Sequence, residues 1–455
     1  MDNYKNPEKI KGMVSRREFM GGAAAAFALT IVPSYVLGKD APSNKLNVAG
    51  IGVGGRGAKD VVRIGSENIV ALCDVDWHRA AKTFEKFPKA TKYWDYRKML
   101  EKERGIEAVV IGTPDHLHAP AAIMAMKMGK HIYVEKPMAH TIYECRKMTE
   151  IAKEMKVVTQ MGNQGHANEG IRLTYEFIHA DAIGTIREVH SWSNRPIWPQ
   201  GIDRPKDTPK VPDTLDWDLW LGPAPYRPYN PAYVPFKWRG WWDFGCGALG
   251  DMAVHNMDPA FFCLGMKSPY VVEAQSSPVN NETLPDWEKI TYYFAARGDT
   301  PPITMTWWDG KKDGKPNVPP RPEEMTEAQW KKYSNGILFV GDKGKILCGG
   351  HAGTPLLLPF SRMKDYKRPP KTLKRSIGHH KEWAQACKDN KPEDSLAGFA
   401  YSGPFTESLL VGNLAVRLGK RIEWDAKTMK ATNAPEADIL INKKYRAGFG
   451  IQELL

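Results

Sequence analysis

The residues most suited to chemistry in this sequence form a glycine-rich turn. Residues 46–51 are a short apolar run, and the glycines after it have the spacing G-x-G-x-x-G. Glycines so spaced permit a tight turn and let the backbone approach a pyrophosphate, while N–H groups at the start of the next helix face the phosphates. The pattern predicts a dinucleotide-binding turn. Its predicted cofactor contacts are Gly52, Gly54, Gly55, Arg56 and Gly57.

A carboxylate at the end of the next apolar run, residues 68–74, bears on which dinucleotide is bound. Asp74 can accept hydrogen bonds from the adenosine ribose, and its charge would repel a 2′-phosphate. This favours NAD over NADP. Arg79 is close enough in sequence to leave NADP open, because a guanidinium can pair with that phosphate.

Polar residues also end or follow three later apolar runs, 108–111, 131–135 and 157–161. Ligands of parallel α/β sheets lie beyond the carboxyl ends of the strands, so these residues are predicted to border the cofactor cleft. They are Thr113, Pro114, His118, Glu135, Lys136, Asn163 and Gln164. The two amides would supply donors, Asn163 to the cofactor and Gln164 to the substrate.

The second half of the chain holds a further group of candidates. Asp251 and His255 are four positions apart, so on a helix they would share one face. Just before them lie Arg239, Trp241 and Trp242, in a stretch rich in tryptophan and proline. Indole faces stack on sugar C–H surfaces, and a guanidinium offers paired donors to hydroxyls or a carboxylate. These residues predict a carbohydrate-lined wall, with core packing of the tryptophans as the alternative.

The elements that position these residues follow from the hydrophobic pattern. Brief apolar runs alternate with segments of helical period over residues 46–161, which predicts an α/β fold with a doubly wound parallel sheet of Rossmann type. The predicted helices are 77–87, 96–103, 119–128 and 142–154. Later strands are predicted at 187–193, 290–294, 303–307 and 344–348, and a late helix at 405–418.

The glycine turn, the acidic strand end, T-P-x-x-x-H at 113–118 and E-K-P at 135–137 resemble, in order and spacing, the Gfo/Idh/MocA oxidoreductases. That family includes inositol dehydrogenase and glucose–fructose oxidoreductase. The resemblance implies a Rossmann domain at 44–165. It also implies a carboxyl-terminal α+β domain at 166–455, with an open, largely antiparallel sheet, for substrate binding and oligomerisation. The implied activity is NAD(P)-dependent hydride transfer at a hydroxyl or ketone of a sugar or polyol.

The resemblance also implies roles for three residues. The family carries a D-x-x-x-H element whose histidine acts with the E-K-P lysine at the substrate carbinol. His255 would take the hydroxyl proton, with a pKa near the working pH. Lys136 would stabilise the developing alkoxide, and Asp251 would orient His255 and the substrate. Glu135 would contact the nicotinamide ribose, and His118 would begin a helix beside the cofactor.

Two other functions stay open. Some relatives are NAD-dependent glycosidases that oxidise a sugar transiently, eliminate the glycosidic substituent, add water and reduce again. Their net redox change is zero. The glycosidases of this family lack the D-x-x-x-H arrangement, so its presence here argues against this class. The other alternative is a non-catalytic sugar-binding protein that keeps the fold.

Composition excludes several partners. The formal net charge is +12, but the basic residues are scattered and form no nucleic-acid motif, so no nucleic acid is expected. The six cysteines form no C-x-x-C pair, and His116-x-His118 lacks a third ligand nearby, so no metal is expected. No stretch outside the leader is long and apolar enough for a membrane span.

The first 38 residues predict an export signal. Arg16 and Arg17 precede an apolar stretch at 21–32, the order of a twin-arginine signal peptide, whose machinery moves folded proteins. The protein is therefore expected in the periplasm, with a tightly bound, recycled cofactor because free NAD is scarce there. An open sheet usually needs covering, which predicts a homo-dimer or homo-tetramer.

Overall fold

A computed structural model of the protein describes residues 44–455, of which 46–455 form one compact unit. The predicted twin-arginine segment, residues 1–38, lies outside the described residues. Within 44–455, no helix combines the length and the apolar character needed to cross a bilayer.

The amino-terminal half is built on a six-stranded sheet in the order β3-β2-β1-β4-β5-β6, with all neighbours parallel. Its strands are β1 Asn47–Ile51, β2 Asn68–Cys73, β3 Thr91–Tyr93, β4 Ala108–Ile111, β5 His131–Val134 and β6 Thr159–Met161. Its helices are α1 Gly55–Arg63, α2 Trp77–Lys86, α3 Tyr96–Lys102, α4 His118–Lys127, α5 Ile142–Met155 and α6 Glu169–His179. The central strands are almost wholly buried because helices cover both faces, so the predicted doubly wound sheet is confirmed.

The carboxyl-terminal half contains a ten-stranded sheet in the order β14-β13-β12-β7-β10-β9-β8-β15-β16, with β11 paired to β10. Its strands are β7 Ile186–Trp192, β8 Val271–Ser276, β9 Trp287–Phe294, β10 Ile303–Lys312, β11 Lys315–Pro316, β12 Gly336–Gly341, β13 Gly344–Gly349, β14 Leu356–Leu358, β15 Ile422–Asp425 and β16 Lys430–Ala431. Every pair is antiparallel except β7 with β10. This confirms the predicted largely antiparallel sheet.

The helices of this half lie at α7 Trp217–Leu221, α8 Val254–Asn256, α9 Asp258–Leu264, α10 Glu327–Trp330, α11 Arg362–Asp365, α12 His379–Asp389, α13 Phe399–Leu418 and α14 Asp438–Ile441. The predicted late helix is present as α13 and ends at Gly419, whose φ of +61° suits a glycine at a helix end. It begins at Phe399 rather than at 405, with Pro404 inside it.

The carboxyl-terminal segment packs back onto the Rossmann half. Helix α13 lies between α5 and the strands β8 and β9, and α12 places Trp383 in the apolar cluster beneath β1. One hydrophobic core contains residues from both sheets and from α13. The loops at the carboxyl ends of the Rossmann strands are therefore held against the second half, where a cleft forms.

Candidate active site

The glycine turn forms the floor of this cleft. Gly52 follows β1 with a φ of +72°, and a Cβ placed there would lie 2.7 Å from the backbone nitrogen of Thr113. A Cβ on Gly57 would lie 1.9 Å from the carbonyl oxygen of Gly52. Only glycine lets the loop after β1 approach the loop after β4 and lets α1 begin directly against it. The free N–H groups at the start of α1 consequently face the cleft.

Asp74 closes the turn from the end of β2. Its carboxylate accepts hydrogen bonds from the backbone nitrogens of Gly54 and Asp76, both at 2.9 Å. Burial raises its pKa to about 6. The side chain of Arg79 lies against Gly54 and Gly55, at the mouth of the turn. A carboxylate and a guanidinium therefore both border the predicted adenosine end.

The cleft encloses about 1270 Å³, counting its open mouth. The cleft runs from the glycine turn to Lys136 and Arg239, which suits an extended ligand. The predicted site residues that line it are Gly52, Gly54, Gly55, Arg56, Asp74, Thr113, Pro114, Glu135, Lys136 and Arg239. Thr113 Oγ1 is buried there without a hydrogen-bond partner, which leaves a polar contact for a ligand. The glycine cradle, Asp74 and Thr113 fit a dinucleotide.

A charged cluster surrounds Asp251 at the far end of the cleft. Lys136 pairs with the Asp251 carboxylate, and its Nζ also donates to the Asp251 carbonyl oxygen at 3.0 Å. Arg239 Nε donates to Asp251 Oδ1 at 3.2 Å, and Arg195 Nε lies 3.7 Å from Oδ2. Burial alone would raise the pKa of Asp251, but Lys136, Arg239 and Arg195 outweigh it and hold that pKa below its ordinary value. Asp251 is therefore an ionised carboxylate shared by three cations.

The structure gives Asp251 a different partner from the predicted one. Residues Leu249–Ala253 form a π-helical turn rather than an α-helix, and the carboxylate points to Lys136 instead of His255. Asp251 therefore positions the lysine, and the expectation that it orients His255 is wrong. A π-turn changes which side chains share a face, which a simple i, i+4 count cannot anticipate.

His255 is buried, with its ring stacked on that of His351 at a centroid separation of 4.3 Å. Burial, followed by nearby positive charge including Lys136, lowers the pKa of His255 well below its ordinary value. This corrects the expected pKa near the working pH, since the imidazole is neutral over the physiological range. Its Nδ1 is buried without a hydrogen-bond partner. A neutral imidazole with a free ring nitrogen can accept a proton.

His351 is a site residue that sequence reasoning missed. It has a φ of +59° in the turn after β13. Its backbone nitrogen donates to Asn256 Oδ1 at 3.0 Å, and Asn168 Nδ2 donates to its carbonyl oxygen at 2.9 Å. Arg195 was missed as well, and it enters from the loop after β7. Neither residue belongs to a local motif, so no sequence signal marks it.

Glu135 is held by two side chains at the end of β5. Arg56 Nε donates to Glu135 Oε1 at 3.1 Å, and Gln164 Nε2 donates to the same oxygen at 2.7 Å. Gln164 also donates to the Tyr133 hydroxyl at 2.8 Å. Gln164 therefore positions Glu135, and its predicted substrate contact is not supported.

Asn163 and His118 likewise support the cleft from behind. Asn163 Nδ2 donates to Asp258 Oδ2 at 3.1 Å, and its side chain does not line the cleft. The His118 ring is fully buried, 2.8 Å from the Pro137 carbonyl oxygen and 3.0 Å from that of Thr113. His118 begins α4 as expected, but it ties two cleft loops together rather than facing a ligand. Both side chains are thus held by contacts within the protein, and their contacts to the cofactor stay predictions.

The predicted aromatic wall at Trp241 and Trp242 is also corrected. Trp241 packs in an apolar cluster and donates from Nε1 to the Ala232 carbonyl oxygen at 3.0 Å. Trp242 is buried beneath Arg417, with its Nε1 bonded to the Asn280 carbonyl oxygen. The aromatic residues that line the cleft instead include Trp238 and Phe236, on which the Arg239 guanidinium stacks. Core packing was the alternative left open for these tryptophans.

Within residues 44–455, no group of three histidine, cysteine, aspartate or glutamate side chains is arranged to bind a metal ion. Both ring nitrogens of His116 lie near backbone carbonyl oxygens of Phe244 and Trp220. All six cysteines are free and buried.

Two family models match the chain. The NAD-binding Rossmann fold of an oxidoreductase family, Gfo/Idh/MocA, matches residues 46–163, and its carboxyl-terminal alpha/beta domain matches residues 179–304. Together the two matches cover more than half of the chain.

Individual relatives are more distant. The chain is 28% identical over 191 residues to levoglucosan dehydrogenase of Pseudarthrobacter phenanthrenivorans, covering 41% of this chain and 40% of the relative. It is 30% identical over 188 residues to alpha-N-acetylgalactosaminidase of Shewanella oneidensis, covering 34% and 41%. The chain thus spans about two fifths of the length of each. A levoglucosan dehydrogenase solved in complex with NADH has the same fold, with a TM-score of 0.54 and 20% identity over 82% of this chain and 96% of that chain.

Proposed function

Because the chain belongs to the Gfo/Idh/MocA family of oxidoreductases, we propose that it transfers hydride between NAD and a hydroxyl or ketone of a sugar or polyol. One observation carries the proposal: Lys136 lines the glycine-floored cleft, pairs with Asp251, and is one of the charges that act on the buried, neutral His255. This arrangement puts a cation and a proton acceptor at one place, as alcohol oxidation requires. The name of the dehydrogenase relative agrees with it.

The roles of the residues follow from their charge states. NAD, when bound, supplies the hydride acceptor at the substrate carbon. The neutral His255 accepts the hydroxyl proton, and the Lys136 ammonium stabilises the oxygen as negative charge develops on it. Asp251 holds the ammonium in place. Thr113, Asp74 and the N–H groups of the turn would hold the dinucleotide. Glu135, fixed by Arg56 and Gln164, would contact the nicotinamide ribose.

A sugar panel tests the proposal. Purified protein loaded with NAD is mixed with single sugars and polyols, and the fluorescence of reduced nicotinamide is followed. A lasting increase with at least one substrate is expected. The absence of any change across the panel, with NAD demonstrably bound, would contradict hydride transfer.

A second candidate is an NAD-dependent glycosidase that works by transient oxidation, elimination, hydration and reduction. The similarity of the chain to a protein named alpha-N-acetylgalactosaminidase supports this second candidate. The same His255 would then act on the proton next to the transient ketone. Nitrophenyl glycosides separate the two candidates. Release of the aglycone without lasting reduction of NAD would identify the glycosidase.

We also propose that the protein is exported folded by the twin-arginine route and carries its cofactor with it. Arg16 and Arg17 support the route, and the scarcity of free NAD outside the cytoplasm supports tight binding. A recycled cofactor would then be reduced by one substrate and oxidised by another. Dinucleotide should co-purify with protein isolated without added NAD; recovery of apo-protein alone would contradict tight binding.

A homo-dimer or homo-tetramer is the proposed assembly. Strand β9 alternates buried and half-exposed residues, and its half-exposed side carries Trp287, Lys289, Thr291 and Tyr293. A broad half-exposed sheet face with aromatic residues is suited to a symmetric contact. Light scattering on purified protein gives the mass directly.

A further inference from the structure

We infer that the substrate of this site is a sugar acid, a polyol or pyranose that carries a carboxylate. The inference deepens the proposed function and rests on it for the identity of the site. It is carried by the charged cluster at Asp251, in which Lys136, Arg239 and Arg195 converge on one carboxylate.

The cluster has a surplus of positive charge. Three cations lie within 4 Å of a single carboxylate, so two positive charges are left without a partner among them. Glu135 also interacts with Lys136, but it is paired with Arg56. Asp115 interacts with Arg239 and Lys136, and burial raises its pKa to about 7. At neutral pH it supplies at most part of one negative charge. A surplus of at least one positive charge remains at the end of the cleft.

The two guanidinium groups have donors to spare. Arg239 uses Nε on Asp251 and Nη1 on the Phe236 carbonyl oxygen, and Arg195 uses Nη1 on the side-chain oxygen of Asn194. Among the described residues, Nη2 of each has no hydrogen-bond partner, and neither group pairs with a second carboxylate. Stacking on Trp238 at 4.2 Å and on Phe236 at 4.7 Å fixes the plane of Arg239. A held guanidinium with free donors matches a carboxylate, which it binds through two parallel hydrogen bonds.

The cofactor does not offset this surplus. The pyrophosphate belongs at the glycine turn, where Arg79 lies, and the oxidised nicotinamide ring is itself positively charged. A neutral sugar that displaced water from the cluster would leave desolvated cations without compensation, which is costly. A substrate carboxylate would remove that cost.

Equilibrium binding tests the inference without requiring turnover. Calorimetry on NADH-loaded protein compares glucuronate with glucuronamide, which has the same shape and no charge. A hydrogen bond to a charged group contributes about 1.5–3 kcal/mol, so glucuronate should bind about 10- to 100-fold more tightly. Equal dissociation constants, or no detectable binding of either compound, would overturn the inference.

Arginine variants then test which residues give the preference for glucuronate over glucuronamide. Arg239→Gln and Arg195→Gln should each reduce the ratio of the two dissociation constants at least several-fold. Arg187→Gln, an exposed charge on the same strand that leads to Arg195, is the matched control and should keep the parental ratio. An unchanged ratio in both active-site variants would contradict the assignment. Thermal melting confirms that each variant is folded.

The sugar panel separates this inference from the proposed function. Oxidation of neutral sugars with no preference for acids would overturn the sugar-acid inference and leave hydride transfer intact. Tight, charge-dependent glucuronate binding without oxidation of any sugar would support the inference and overturn the dehydrogenase.

Discussion

At the scale of single residues, the charge states of the cluster result from burial and ion pairing acting against each other. Asp251 stays ionised because three cations outweigh its burial, whereas His255 has no counter-charge and stays neutral. Asp251 is thus held as a carboxylate and His255 as a neutral imidazole, which are the charge states that the proposed proton abstraction requires. Asp251 positions Lys136, and a ring nitrogen of His255 is free to accept a proton.

The first prediction concerns the chemical step. Lys136→Met removes the ammonium while keeping most of the stem, and His255→Ala removes the proton acceptor. A positioned acid or base contributes about 10²–10⁴-fold in rate, so kcat should fall by that order in each variant while NAD stays bound. Steady-state rates and dinucleotide titration measure the two effects separately.

Lys98→Met, at an exposed position on α3, is the matched control and should behave like the parent. Near-parental turnover of His255→Ala would contradict its role. Loss of NAD together with activity in Lys136→Met would instead make Lys136 a residue that holds the cofactor.

The second prediction concerns cofactor choice. Asp74→Ala removes the carboxylate proposed to face the ribose and leaves Arg79 at the mouth of the turn. Affinity for NAD should fall about 10- to 100-fold, the cost of losing hydrogen bonds to a charged group, and the preference against NADP should shrink. Fluorescence titration with both reduced cofactors gives the ratio.

Because Asp74 also binds the backbone at Gly54 and Asp76, a general loss of affinity alone is not informative. Asp74→Asn keeps an acceptor oxygen and should retain more NAD affinity than Asp74→Ala. An unchanged NAD-to-NADP ratio in both variants would mean that Asp74 does not face the ribose.

Local motifs made part of the site predictable. The glycine turn, Asp74, Glu135 and Lys136 were found because each follows a strand and its role depends on neighbours in sequence. Arg195 and His351 enter from loops after β7 and β13, and only tertiary packing brings them to Asp251 and His255. The prediction of a carbohydrate-lined wall at Trp241 and Trp242 was wrong for a related reason, since the density of aromatic residues in a sequence does not tell which ring faces the core.

At the scale of elements, the Rossmann strands were predictable because buried parallel strands are short, continuous apolar runs. Strand β3, with the sequence Thr-Lys-Tyr, was missed because it is an edge strand of half-exposed or exposed residues. The π-helical turn at Leu249–Ala253 was missed because it shares its composition with an α-helix. The start of α13 was missed since Pro404 lacks the N–H that a helix interior normally uses.

The third prediction concerns the pair of buried carboxyls that face each other across β9 and β10. Glu288 and Asp309 are directly opposed and buried, and Trp307 Nε1 donates to Asp309 Oδ2 at 2.7 Å. Burial raises the pKa of Asp309 from 3.8 to about 7 and raises that of Glu288 as well. A carboxyl whose folded-state pKa is raised stabilises the fold fully below its unfolded pKa, and this stabilisation is lost as pH rises through the folded pKa.

Glu288→Gln should therefore stabilise the protein above neutral pH. Removing a buried acid is expected to raise the free energy of unfolding by about 1–3 kcal/mol at about pH 8, and by less at about pH 5. Denaturant unfolding at the two pH values measures it. Glu423→Gln, on the exposed side of β15, is the control. A gain that is the same at both pH values would contradict the account.

At the scale of the whole molecule, the α12 and α13 segment binds both sheets together. The carboxyl-terminal half returns to pack on the Rossmann half, which fixes the distance from the glycine turn to His255. A fold held together in this way is compatible with the proposed export in the folded state.

The fourth prediction tests that route. Replacing Arg16 and Arg17 together by lysine preserves charge and removes the pair of guanidinium groups that the twin-arginine machinery requires. The double variant should stay in the cytoplasm with an unchanged melting temperature. Fractionation of cells that express each form is the measurement, and export equal to that of the parent would contradict the prediction.

Hydride transfer from substrate carbon to NAD is the central claim, and isotope transfer tests it most directly. NAD-loaded protein is incubated with sugars, polyols and sugar acids deuterated at their carbinol carbons. The dinucleotide is then released by denaturation, and its mass is measured by mass spectrometry. The account predicts reduced nicotinamide that is heavier by one deuterium with at least one substrate, and no such label with Lys136→Met or His255→Ala in the same time. Conversion of a substrate by the parent protein without deuterium ever reaching the nicotinamide would contradict it.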